Sequence, residues 1–153
     1  MDKNDRYSRY IARSVDHIFK NFIKDDTITE VFEAQSHEND PRVCIELAGT
    51  ISGEIVINIP EKTLSQLTKK IMPSVSPRAV RKHHREIAGE IANMITGTFA
   101  NQLQFIKHNV RLSAPEFNED PIALKTFYEN VNLSFQSAFG GFDIDLYYKE
   151  SAQ

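Results

Sequence analysis

The chain has a single cysteine, Cys44, and no tryptophan in 153 residues. One cysteine cannot close an internal disulfide, which excludes a stapled secreted scaffold and fits a reducing cytosol. No apolar run reaches the ~18 residues a membrane span needs. The first ten residues, MDKNDRYSRY, are polar where a signal peptide would be apolar. A cytoplasmic protein without a membrane role is therefore expected. Positive charge is not in excess: 18 Lys and Arg face 21 Asp and Glu, for a net charge of −3. That balance argues against coating nucleic acid. There is no GxSxG, CxxC, HExxH or Walker-type phosphate loop, so the residue sets for those nucleophilic, redox, zinc and nucleotide chemistries are missing. His83 and His84 are adjacent and would point about 100° apart on a helix; they cannot share a metal and read as solvated side chains. Cys44 has no His near it in sequence and reads as structural filler.

What is present suits one globular domain spanning 1–153, with 41% hydrophobic and 25% charged residues. Ile11, Val15, Ile18, Phe19 and Phe22 recur at helical spacing, predicting a helix that ends near Asp25. Three extended segments follow, over 27–35, 42–47 and 54–59, with polar loops at 36–41 and 49–53. Glu61 to Met72 reads as a short helix with Leu64, Leu67 and Ile71 inward, and 73–77 as a connector. After a long helix come further strands: Val110, Leu112 and Ala114 up to Pro115, then a polar loop or helical turn over 118–128. Val131, Leu133, Phe135 and Phe139 then face Phe142, Ile144, Leu146 and Tyr148 across a turn predicted at Gly140-Gly141. Helix–strand–strand–strand thus occurs twice, without a residue-level repeat to mark it. The fold class is α+β: a mostly antiparallel sheet with the long helices packed on one face.

The long helix, Arg81 to Ile106, has the cleanest period, with Ser76 and Pro77 placed to start it. Ile87, Ile91, Met94, Ile95, Phe99 and Ile106 gather on one face. Glu86, Glu90, Asn93, Gly97, Asn101 and Gln104 gather opposite them, in one stripe. A solvated helix face usually mixes Lys and Glu; this one has carboxylates, carboxamides and a glycine, and no lysine. Asparagine is a poor helix former and Gly97 costs about 1 kcal/mol relative to Ala. Glu90 and Asn93, three apart, lie side by side, and Gly97 leaves a notch where another backbone could come close. Before them, Arg78, Arg81, Lys82, His83, His84 and Arg85 place cations where they oppose the helix dipole. That cluster is either a solvated helix start or a docking patch for an acidic partner.

Glu90-x-x-Asn93 within GEIANMITGTFANQL, followed by RLSAP, resembles the CheC/CheX/FliY family of bacterial chemotaxis phosphatases, and its single-site CheX branch in particular. The segment LAGTISGEIVINIPEKT is also similar to that branch, and the resemblance extends from about Ser8 to Tyr148. Glu86 stands where the family usually has Asp or Ser, and 21 residues separate Asn93 from Pro115. The first helix has no Glu-x-x-Asn, so no second site of the CheC type is expected. The resemblance implies a CheC-like fold, a homodimer, and hydrolysis of the aspartyl phosphate on a response-regulator receiver domain such as CheY. It implies that Asn93 orients the attacking water, that Glu90 anchors the partner, and that Glu86, Gly97 and Arg85 line the docking face. No cofactor of its own is expected, the Mg²⁺ belonging to the receiver. The alternative implied by Glu86 is a non-catalytic module of the same fold that docks a receiver or another signalling partner.

Overall fold

Alternation along four strands decides which way the sheet faces. β2 (Arg42–Gly49) turns Val43, Ile45 and Leu47 into the core, and β3 (Ile51–Asn58) turns in Ile51, Ile55 and Ile57. β6 (Glu129–Ser137) adds Val131, Leu133 and Phe135, and β7 (Gly140–Glu150) adds Phe142, Ile144, Leu146 and Tyr148. With a side-chain period of two, each strand has one face to cover, and the helices cover it: α1 (Lys3–Ile18), α2 (Glu61–Ile71) and α3 (His84–Phe105). The computed structural model describes residues 3–117 and 128–151. Short strands β1 (Thr29–Val31), β4 (Val110–Leu112) and β5 (Glu116–Phe117) complete one antiparallel sheet in the order β1-β6-β7-β3-β2-β4, with β5 also on β2.

That order contains an approximate two-fold relation. The third strands of the two halves, β3 and β7, meet at the centre, and each half's first strand lies at the far edge, on the other half's second strand. The helices repeat at residue level, although the sequence alone does not show it. The Ser14 hydroxyl donates to the Tyr10 carbonyl, and Thr98 donates to Met94 in the same way. Phe19 and Leu103 are both fully buried, and their carbonyls accept the closing N–H groups of Asp25 and His108. Phe22-Ile23-Lys24 and Phe105-Ile106-Lys107 then end the two helices, with both lysines left-handed at φ 65° and 68°. A π-helical turn, Phe19–Ile23, takes up one extra residue in the first copy. The correspondence puts Arg6 and Arg9 where α3 has Glu90 and Asn93, which is why α1 has no second Glu-x-x-Asn face.

Several sequence expectations change at their edges. The segment expected as a strand over 27–35 pairs only at Thr29–Val31. Beyond it the Asp143 carboxylate takes the N–H groups of Gln35 and Ser36, drawing the chain off the sheet and leaving Phe32 fully exposed. The loop expected over 49–53 shrinks to a tight turn, and Gly53 lies inside β3. There φ is +146°, and a Cβ would fall 1.8 Å from the Tyr147 carbonyl oxygen on β7, so only glycine lets the two strands pair. The β6–β7 turn is Ala138-Phe139 rather than Gly140-Gly141, since Ser137 pairs with Gly140. Gly140, at φ +126°, is needed because Thr63 lies where its Cβ would be. Leu133, Phe135, Ile144 and Leu146 are in the core as expected, whereas Ile71, expected inward, is exposed. The long helix starts later than expected, at His84, after a 3₁₀ turn over Arg81–His83 and without a side-chain cap. Met94 and Ile106 are half-buried, and Ala88, Ala92, Thr96 and Leu103 fill the face between the expected residues. Cys44 points to the sheet face away from the helices and is buried there. The loop expected over 118–128 lies, apart from Tyr128, outside the described residues.

Candidate functional site

α3 divides into two faces with different tasks. Ile87, Ile91, Ile95, Phe99 and Leu103 are buried against the sheet and α1, while Glu86, Glu90 and Asn93 are exposed. The i,i+3 spacing sets the Glu90 and Asn93 side chains about 5–6 Å apart at Cβ, both free to meet a partner. Across from them runs the segment after β4. Ser113 donates its N–H to the Glu46 carbonyl and accepts the Glu46 N–H at 2.8 Å through its hydroxyl; three residues on, β5 pairs with Val43 and Cys44. Pro115 is therefore held between two short pairings to the same strand. Its ring lies over Gly89, where an added Cβ would meet it at 3.7 Å.

The result is a groove of about 430 Å³ between α3 and the Pro115 segment. Arg85, Glu86, Glu90 and Asn93 line its helical wall, with Pro115 and Phe117 opposite. The Arg85 guanidinium lies over the Phe117 ring, 5.2 Å from its centroid, a contact worth about 0.5–1 kcal/mol at an exposed site. Glu86 is at the upper end, its carboxylate 3.3 Å from His83 Nδ1. Four of the five residues expected at the site thus share one groove. Gly97 does not line it: it lies a turn further along, with open space where a Cβ would be. Val43, Gly89, Glu116 and Phe117 also line it and were not expected from sequence. Gly89 was legible as a helix-interior glycine next to Glu90; Phe117 had no signal, since its role depends on where β5 pairs.

The histidines differ from the solvated pair expected. His84 is buried, and its Nε2 lies 3.0 Å from the Ser65 hydroxyl on α2. The first turn of α3 packs against α2, so that side chain cannot remain in water. Burial pushes the His84 imidazole below its ordinary value of 6.5, against the pull of the Glu61 carboxylate. Below pH 6.5 the unfolded chain then binds more protons at this residue than the folded one. His84 therefore favours unfolding progressively as pH falls below 6.5, toward its lower folded value. The melting temperature is expected to fall between pH 7 and pH 5, and His84→Gln is expected to flatten that slope. Glu150, held below its usual 4.5 by hydrogen bonds from Lys3 and Tyr7, acts only below pH 4.5, so the two windows are separable.

Comparison with known proteins bears on the family and the fold. The family model described as chemotaxis phosphatase CheX matches residues 42–126, more than half of the chain. No curated protein matches. Among solved structures, the chemotaxis protein CheX of Vibrio vulnificus superposes with a TM-score of 0.78 at 15% identity, covering 97% of this chain and 100% of that one. A chemotactic CheC-like protein of Shewanella oneidensis gives 0.75 at 18% identity, over 95% of this chain and 99% of the other. The CheX–CheY–BeF3–Mg²⁺ complex of Borrelia burgdorferi gives 0.73 at 15% identity, over 94% and 98%. At these identities the superpositions establish a shared CheC-like fold.

Proposed function

The chain belongs to the chemotaxis phosphatase CheX family, and from that premise we propose that it hydrolyses the aspartyl phosphate of a CheY-like response-regulator receiver domain. The observation that carries this reading is the placement of Glu90 and Asn93: both exposed, adjacent on one helix, and facing a groove closed by Pro115. Hydrolysis of an acyl phosphate asks a protein mainly for positioning and electrostatics. A water adds to phosphorus in line with the bond to the aspartyl oxygen; that bond breaks, and the receiver carboxylate and inorganic phosphate separate. Asn93 holds the water by its carboxamide, which can accept and donate hydrogen bonds without setting a negative charge beside the phosphoryl group. Glu90 pairs with the receiver's lysine and sets the register of α3.

The Mg²⁺ of the reaction is assigned to the receiver. Gly97, one turn beyond Asn93, lets the helix lie close to the partner's loops. The solved Borrelia CheX is in complex with CheY, which supports a receiver domain as the partner. A homodimer and a cytoplasmic setting belong to the same proposal; the sheet edges open to a second copy are β1 on one side and β4 with β5 on the other.

Phosphate release from phosphorylated receivers of the same cell tests the reading. Absence of release from every one of them would sink it and favour a docking module. Glu90→Lys is expected to weaken receiver association about tenfold or more by opposing the receiver's lysine, with little change in stability. Unchanged affinity by titration calorimetry would remove Glu90 from the docking role.

A further inference from the structure

Arg85 apart, which already stands on the docking face, the basic stretch at the start of α3 has no role in the receiver-phosphatase reading, on which this inference rests. The structure sorts its cations by what already occupies them. The Arg81 Nε lies 3.1 Å from the Glu61 carboxylate. His84 is buried against Ser65, and His83 is 3.3 Å from Glu86. Lys82 has no hydrogen bond or ion pair with any described residue, and Arg85 has only the Phe117 ring. Lys82 and Arg85 are thus left without an ion pair among the described residues at the positive end of the α3 dipole, a placement that opposes the dipole, with Glu86 the acidic residue of the first turn.

Lys82 and Arg85 line a second cavity, of about 610 Å³, between the 38–42 loop and the start of α3. Its walls hold three carboxylates, Glu38, Asp40 and Glu61, against four cations, Arg42, Arg81, Lys82 and Arg85; Glu61 is paired with Arg81, and Asp40 accepts the His37 N–H at 2.7 Å. Arg85 and Phe117 line this cavity and the catalytic groove alike, so the two adjoin across one cation–π contact. A domain seated on Glu90 and Asn93 would bring its neighbouring surface over Lys82.

We propose that Lys82 and Arg85 recognise an acidic side chain on the receiver surface that flanks its phosphorylation site, apart from the carboxylates that would hold its Mg²⁺. α3 would then serve twice: its middle holds the reacting water, and its first turn selects receivers that are acidic at that position. Both interactions form before chemistry, so Lys82 belongs to affinity rather than to the chemical step.

The test compares Lys82→Glu, Arg78→Glu and the unaltered protein. Arg78 is an exposed cation of the same stretch that lines neither cavity. The receiver is one whose phosphate the unaltered protein releases, or, for binding alone, the receivers of the same cell loaded with beryllofluoride. Lys82→Glu is expected to raise KM and the dissociation constant about tenfold at low salt, with kcat changed less than about twofold and a flatter salt dependence. Arg78→Glu is expected to change either constant less than about twofold. An unchanged affinity in Lys82→Glu, or equal losses in both variants, overturns the inference, because long-range attraction alone would explain them. Inorganic phosphate binding that Lys82→Glu abolishes, with receiver affinity unchanged, assigns the cavity to the free anion and also overturns it. Lys82-dependent binding without any phosphate release supports the inference while sinking the catalytic reading.

Discussion

Asn93→Ala is expected to lower phosphate release from a phosphorylated receiver by about ten- to a thousandfold, the range seen when a positioning or transition-state contact is lost. The same change should leave stability within about 0.5 kcal/mol. Asn93 is exposed on α3 and has no hydrogen-bond partner among the described residues, so its removal strands no buried group. Alanine is also the better helix former by a few tenths of a kcal/mol. Activity and stability should therefore separate cleanly in this variant. Single-turnover phosphate release and urea unfolding, measured on the same preparation, decide it. Full activity with intact binding would leave the receiver docked but deny Asn93 a part in the chemistry.

Phe99→Ala, less than two turns along the same helix, should do the reverse. Phe99 is fully buried and meets the Tyr7 ring edge-on at 6.4 Å, joining α3 to α1. Truncation removes the buried ring and leaves a cavity between two helices that are tied together elsewhere. Gln102, for example, donates to the Tyr10 carbonyl at 2.7 Å, which limits collapse into the space. The expected loss is about 3–5 kcal/mol, against a typical total of about 5–15 kcal/mol for a domain. For a chain of this size the melting temperature should fall by about 6–20 °C. At a temperature where the variant remains folded, phosphate release should stay within a few-fold of the unaltered protein. A fall in stability below about 1 kcal/mol would mean that the α1–α3 contact is looser than its geometry indicates.

The opposition between those residues is legible in the amino-acid sequence. A 3.6-residue period sets Ile91 and Phe99 opposite Glu90 and Asn93, whatever the helix packs against, so the exposed carboxylate and carboxamide follow from spacing alone. Alternation in β2, β3, β6 and β7 likewise determines which side chains enter the core. The expectations that fail depend on contacts between residues far apart in sequence. Glycines favour turns, which points to Gly140-Gly141, but Gly140 is required by the approach of Thr63. His84 looks solvated in sequence because its partner, Ser65, lies on another helix.

The sequence by itself determined the secondary structure of the long elements, the two-faced α3, and the Glu90 and Asn93 pair on its open side. Those are properties of local period, and a side chain's direction along a helix or strand follows from its position. Tertiary structure alone decided that Pro115 closes a groove over Gly89, that β1 and β4 exchange halves, and that Lys82 and Arg85 stay uncommitted while their neighbours are paired. Each depends on which segments the sheet brings together, and burial or charge pairing is a property of two positions at once, which no single stretch of chain carries.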